Sequence, residues 1–241
     1  MNGRDPWMNR EAWKACADPS LSIEEFLHDP CIEGFDLGAR VDLTSRCKVF
    51  TRMVGYARHY YLFARHYVPL ACANDGKHSH YERWINEGAI IGHEGVEILL
   101  PEVQKEVEED LEIYNYEAMV FDPHQALQMQ QELRPQLGQD STGEDRLIDI
   151  PQTWKYLDPA MKEVEAAVLA KRLHHTGDPV LAWGIGNVMV KPDANENVFP
   201  RKENSASKID PASALFNAMV RAAVSQGPKK SIYEERGVLI L

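Results

Sequence analysis

A chain of 241 residues with 44% hydrophobic side chains can bury one substantial core, and nothing in its composition divides it into two comparable domains. A net charge of −11 argues against a protein that grips nucleic acid through its overall field. No apolar run reaches the ~18 residues that would cross a bilayer, the opening MNGRDPWMNREAWK lacks the apolar core of a signal peptide, and Cys16, Cys31, Cys47 and Cys72 are scattered without a Cys-x-x-Cys pair, so a cytosolic protein with reduced thiols, no structural zinc and no membrane partner is expected.

Residues 1–20 carry the Asp5-Pro6 and Asp18-Pro19 breaks and few aliphatics, and read as a linker or edge segment before a domain spanning 21–241. Three apolar stretches follow, near 31–38, 43–54 and 59–68, separated by short polar turns as in an antiparallel meander. His78 to Gly88 and Pro101 to Tyr114 read as helices, the second opened by a proline whose missing N–H is no loss at a first helical position. Ala118 to Phe121 is a short strand, apolar on both faces as in the centre of a sheet. A helix from His124 to Leu137 leads through the surface loop DSTGED at Asp140 to Asp145 into a strand at Leu147 to Ile150.

Leu157, Met161, Val164 and Val168 form one apolar stripe on a helix placed at Pro159 to Arg172. A short helix and a β-hairpin with its tip at Pro192 to Asn197 come next. Ala212, Leu215, Phe216, Met219, Val220, Ala223 and Val224 commit Pro211 to Val224 to a helix packed on the sheet. The β-β-β-α-β-α-β order predicts an α/β domain, a mixed central sheet flanked by helices.

Charge is distributed unevenly. Between Glu94 and Glu112 eight acids face Lys105 alone, as on a solvated helix face, whereas Leu181 to Leu241 carries eight Lys/Arg against six Asp/Glu. The C-terminal quarter is therefore the better place for contacts with phosphate. Asp36 ends the first strand, Asp122 ends the fourth and Asp210 starts the last helix, 86 and 88 residues apart in sequence. Adjacent strands crossed by a helix bring such positions together. On spacing alone, however, Asp122 and Asp210 read as helix caps, since the chain has seven Asp-Pro pairs and Asp followed by Pro suits a helix start. Asp158-Pro159 and Asp178-Pro179 are read that way. His78, His80 and His93 lack a ligand spacing and read as surface residues.

Three segments carry a family resemblance. Leu173 to Asp210 holds His175, Gly177, Pro179, Leu181, Trp183, Asn187, Val188, Val190, Lys191, Lys208, Ile209 and Asp210 in a pattern similar to the end of the nuclease domain of a tailed-phage terminase large subunit. Cys31 to Thr44, CIEGFDLGARVDLT, and Glu117 to Ala126, EAMVFDPHQA, resemble the same family's first and fourth strands. Asp178 stands where the family usually has Asn, and Pro211 where it often has Gly.

The resemblance implies an RNase H-like fold with an accessory β-hairpin near the active site, and a metal-dependent endonuclease that cuts concatemeric double-stranded DNA at the start and end of packaging. It makes Asp36, Asp122 and Asp210 ligands of two divalent cations, Mg²⁺ or Mn²⁺, with Asp36 bridging both. Asp42 joins the catalytic set as an outer metal partner, with a turn aspartate as an equal reading. Lys191, Arg201, Lys202 and Lys208 around the hairpin are candidate DNA-phosphate contacts, with a solvated hairpin as an equal reading, and His175 is a structural or substrate-contacting residue. Residues 1–20 would follow an ATPase motor domain absent from this chain, which has no Gly-x-x-x-x-Gly-Lys-Ser/Thr loop. The implied partners are that ATPase domain, the portal protein and the small terminase subunit, in the host cytoplasm. A resolvase- or transposase-like nuclease, or a catalytically weak docking module for the portal or small terminase, are the competing readings.

Overall fold

Alternation in the first long strands decides what lies on each side of the sheet. In the computed structural model, which describes residues 5–38, 42–73, 79–123, 126–204 and 206–225, β1 (Asp5–Pro6) and α1 (Arg10–Lys14) precede β2 (Pro30–Asp36), β3 (Thr44–Val54) and β4 (Ala57–Pro69). Then follow α2 (Leu70–Ala73), α3 (Ser79–Asn86), β5 (Ile91–His93), α4 (Leu100–Leu111), β6 (Asn115–Phe121), α5 (Leu127–Leu137) and β7 (Leu147–Asp149). The chain continues through α6 (Trp154–Leu169), β8 (Leu173–His175), α7 (Pro179–Gly186), β9 (Val188–Val190), β10 (Arg201–Lys202) and α8 (Asp210–Ala222). The main sheet is ordered β5-β4-β3-β2-β6-β7, with β8 also paired to β4, and β1-β9-β10 form a small separate sheet.

The expected meander and the mixed sheet are present: β2 runs antiparallel to β3 and parallel to β6, which in turn is parallel to β7. Ile32 and Gly34 on β2 face α8, in a core shared with Val49, Val120, Met161, Val164, Leu215 and Met219. Cys31 and Phe35 face the opposite side, toward Val103 and Val107 of α4 and Leu133 of α5. Glu33, on that second side, is buried with Arg46 and Lys48 of β3. Lys48 Nζ lies 3.1 Å from Glu33 and 2.7 Å from Asp110, Arg46 pairs with Asp110 and Glu106, and Tyr116 donates to Glu33 at 2.7 Å. Ions this deep are tolerable only because each is paired and hydrogen-bonded. Glu106 and Asp110, two of the acids expected on a solvated face, are thus turned partly inward.

Several expectations are corrected. Residues 5–20, within the stretch expected as a linker or edge segment, form no linker but pack into the domain, with β1 at the edge of the small sheet: β1 pairs with β9, Asn9 caps α1, and Trp7, Met8, Trp13 and Cys16 are buried. Their burial is carried by tryptophans, which a count of aliphatics overlooks. The sixth helix starts at Trp154, so Asp158-Pro159 lies within it rather than at its start. Asp158 instead accepts the Val198 N–H at 2.7 Å and pairs with Lys162 at 3.0 Å. His93, expected at the surface, is buried with its Nδ1 accepting the Leu99 N–H at 3.0 Å. β1, β5 and β8 are too short to show a period of two in sequence. His78, His124 and the closing SIYEERGVLIL lie outside the described residues.

Asp178-Pro179 does begin a helix. The Asp178 carboxylate accepts the Val180 and Leu181 N–H groups at 2.8 and 2.7 Å and lies 3.4 Å from His66. Although burial opposes ionisation, these partners hold its pKa below the ordinary range. Asp178→Ala is expected to cost about 1–2 kcal/mol and lower the thermal midpoint by roughly 2–8 °C. Differential scanning calorimetry checks this, and an unchanged midpoint would remove the cap from the account.

Candidate active site

The register of the sheet brings the first two sequence-predicted acids together. Phe35 on β2 pairs with Phe121 on the parallel β6, and the next residues along the two strands are Asp36 and Asp122. Neighbouring strands lie ~4.8 Å apart, so the two acids leave the sheet side by side. Phe35 and Phe121 stack beneath them with centroids 4.5 Å apart.

The third acid arrives on α8, which lies directly against β2. A Cβ on Gly34 would overlap the backbone of Ala214 and Ala218, so only glycine permits this approach. Asn217 locks the register: its Nδ2 donates to Phe35 O at 2.8 Å, and its Oδ1 accepts from Gln152 at 3.0 Å. One turn from Asp210, the Ser213 hydroxyl donates to Asp36. At the other flank Gly184 of α7 abuts Pro211, and Asn187 Nδ2 donates to Lys208 O at 2.9 Å, fixing the approach to Asp210.

The electrostatics follow from this crowding. Burial, then the charges of Asp210, Asp122 and Asp42, push the Asp36 carboxyl well above its usual range, while the Ser213 hydroxyl pulls the other way. Burial and then the Asp42 charge push Asp210 up to about 6, against its own backbone N–H, Lys208 and Lys202. Asp36 and Asp210 therefore sit in a crowded, buried acidic setting. Among the described residues, no three His, Cys, Asp or Glu side chains converge closely enough to cage an ion. Carboxylates with no cation between them repel, and their oxygens are the donors that hard divalent ions prefer. The residue types and their arrival at one edge of the sheet fit a divalent cation whose binding draws the carboxylates together.

Asp42 pairs with Lys208 at 2.6 Å. Lys208 is therefore tied to an acid beside the cluster and is only 14% exposed at its side chain, a position different from Lys191, Arg201 and Lys202 on the exposed hairpin. The hairpin forms as expected: β9 pairs with β10, and the tip closes where Asp193 accepts the Asn195 and Asn197 N–H groups at 2.8 and 3.0 Å. His175 is structural. It stacks on Trp13 with centroids 4.6 Å apart, its Nε2 lies 3.0 Å from Trp13 O, and its Nδ1 accepts the Gly177 N–H at 3.1 Å. The sequence reading missed Ser213 and Asn217. Their spacing from Asp210, i+3 and i+7 on one helix face, was the available signal.

A pH dependence follows from the two raised aspartates. Between 3.8 and about 6 folded Asp210 holds a proton that the unfolded chain has lost. The stability contributed by such a group is present in acid and is lost as the pH rises through about 6. Without divalent ions, Asp210→Asn is expected to melt above the wild type at about pH 8 and level with it only at about pH 3.5, below the unfolded pKa, the gap opening between 3.8 and about 6. Thermal melts of both proteins across that range test this, and a gap independent of pH would contradict it.

Comparison with known proteins agrees with this architecture. The chain is 32% identical over 232 residues to Protein YmfN of Escherichia coli (strain K12), covering 92% of this chain and 49% of that protein. It is 23% identical to the terminase large subunit of Enterobacteria phage HK97, over 96% of this chain and 43% of that protein. The chain thus spans about half the length of these curated relatives. The crystal structure of the HK97 large terminase superposes with a TM-score of 0.75 at 22% identity, covering 90% of this chain and 44% of that one. The large terminase nuclease from thermophilic phage G20c superposes at 0.50 with 11% identity, covering 79% of this chain and 81% of that one. The fold of the chain is that of these terminase structures. A family model, terminase large subunit, endonuclease domain, matches residues 1–226, and the chain belongs to that family.

Proposed function

We propose that this chain is a metal-dependent DNA endonuclease that cuts concatemeric phage genomes during packaging, with Asp36, Asp122 and Asp210 holding two Mg²⁺ or Mn²⁺ ions. The observation that carries this reading is the placement of three acids at one sheet edge, Asp36 and Asp122 side by side at the ends of paired strands and Asp210 on the helix packed against them, with Asp36 and Asp210 both driven toward protonation by burial and then by neighbouring carboxylates. Two bound ions would supply an activated water and neutralise charge on the scissile phosphate and the leaving oxygen. Asp36, between the other two acids, is the residue that would bridge them. Ser213 orients the Asp36 carboxylate, and Asn217 holds Asp36 and Asp210 in register. Asp42 keeps Lys208 at the rim, where the pair sets the charge around Asp210. Lys191, Arg201 and Lys202 contact phosphates from the hairpin, which positions duplex DNA without reading its sequence.

In the packaging complex the chain would act with a terminase ATPase domain, the portal protein and the small terminase subunit, in the host cytoplasm. The family match leaves the resolvase reading without support. Incubation of supercoiled plasmid with the chain and Mn²⁺ tests the activity. Nicked and linear products that vanish with EDTA are expected. No cleavage by a folded protein that retains Mn²⁺ would favour the docking-module reading instead.

A further inference from the structure

The edge that carries the three acids continues into an exposed aromatic ledge. β7 is parallel to β6, with Phe121 opposite Asp149, so its carboxyl end opens beside Asp122. The chain then turns into α6, whose first residues are Trp154, Lys155 and Tyr156. Trp154 is 54% exposed and Tyr156 37%, whereas Trp7, Trp13 and Trp84 are buried in the core. Large aromatic side chains left in water next to a reactive edge mark a contact surface. Lys155 Nζ stands 5.7 Å from the Tyr156 ring centroid, which adds a cation to the same ledge.

The ledge is fixed to the site. Gln152 Nε2 donates to Ile150 O at 3.1 Å and to Asn217 Oδ1 at 3.0 Å, and Asn217 donates in turn to Phe35 O, one residue before Asp36. Two residues span at most about 7 Å, so Trp154 begins within that reach of a residue bonded to the Asp36 strand by one intervening side chain. On the other side, Val198 N–H donates to Asp158 in the next turn of α6, which seats the return arm of the hairpin beside the ledge. The ledge thus adjoins the return arm of the hairpin, whose Lys202 lies close enough to Asp210 to favour its ionised form.

We propose that Trp154, Lys155 and Tyr156 form a second contact for duplex DNA, with Trp154 packed against sugar and base edges in the minor groove and Lys155 on a phosphate. The inference rests on the nuclease reading and adds how the substrate is held. An aromatic contact is indifferent to sequence and less dependent on salt than phosphate pairing. Both properties suit a chain whose net charge of −11 repels DNA at long range.

Fluorescence anisotropy of a short fluorescein-labelled duplex, measured with Ca²⁺ in place of Mn²⁺, tests the ledge. Trp154→Ala is expected to weaken binding about 5-fold, as for loss of roughly 1 kcal/mol of apolar contact, and Lys155→Ala to weaken it about as much while reducing its salt dependence. Trp154→Phe is expected to retain most of the affinity, with far-UV circular dichroism and the thermal midpoint of all three variants close to wild type. Addition of unlabelled duplex should quench tryptophan emission in the wild type and much less in Trp154→Phe. If the wild type binds and cuts DNA while Trp154→Ala binds equally well, the ledge is not a DNA contact and faces a protein partner instead; the nuclease reading survives. If the folded wild type neither binds duplex nor cuts plasmid, the nuclease reading fails and the proposal falls with it.

Discussion

Replacing Asp36 with asparagine is expected to reduce plasmid cleavage by at least ~10³-fold, the upper range for loss of one group that stabilises a transition state. Asparagine keeps the shape of the side chain and can still accept from Ser213, so the loss isolates charge from geometry. Without the negative oxygen, the site would lose a donor for the proposed divalent cation, which would supply the activated water. The same change is expected to leave the metal-free thermal midpoint unchanged or raise it by a few degrees. The reason is that Asp36 sits with its carboxyl driven well above its ordinary range by burial and then by Asp210, Asp122 and Asp42. Removing an ionised group from that setting relieves repulsion. Cleavage assays paired with calorimetry separate the two effects. A large drop in the midpoint would make Asp36 a structural residue, and retained cleavage would exclude it from the chemistry.

Gly34→Ala should be among the most damaging small changes outside the acids. The added Cβ would meet the carbonyl of Ala214 and the backbone of Ala218, neither of which can rotate away as a side chain would. Either α8 lifts from β2 or the strand shifts. Overpacking typically costs 1–3 kcal/mol and occasionally more, and with rigid backbone on the far side about 3 kcal/mol or more is expected, a fall of roughly 6–12 °C. Activity should fall further than stability, since the displaced helix carries Ser213 and Asp210 away from Asp36. Measurement of cleavage well below the lowered midpoint distinguishes misplacement from unfolding. A variant that melts and cuts like the wild type would show that α8 does not lie on the strand as described.

How much of this was legible beforehand depended on the length of each signal. Long apolar strands and the α8 stripe of Leu215, Phe216 and Met219 repeat often enough to declare their period, and they appear close to the expected bounds. The three acids stand out only through the segments around them, since for Asp122 and Asp210 the Asp-Pro pair alone fits both a ligand and a cap. Asp178 is a cap, Asp158 serves the hairpin arm, and Asp210 opens α8 with its carboxyl turned to the acid cluster. Contacts made across the sequence were not readable. Trp7 stacks edge-on against Phe216 at 5.0 Å, and no local pattern in the first twenty residues announces a partner so far along the chain. Likewise, Lys208 looked like one more hairpin cation until the fold placed Asp42 against it. The role of Gly34 needed α8 in position before it had meaning.

Asp36, Asp122 and Asp210 are proposed to hold the divalent ions at which DNA is cut. Anomalous diffraction from crystals soaked in Mn²⁺ tests it most directly, because the signal locates the ion without reference to activity. The account predicts one or two peaks among these three carboxylates, ~3.5–4 Å apart if two are present, and none at this edge in crystals of Asp36→Asn. Manganese bound only elsewhere, with the three carboxylates apart and unliganded in ordered density, would contradict it.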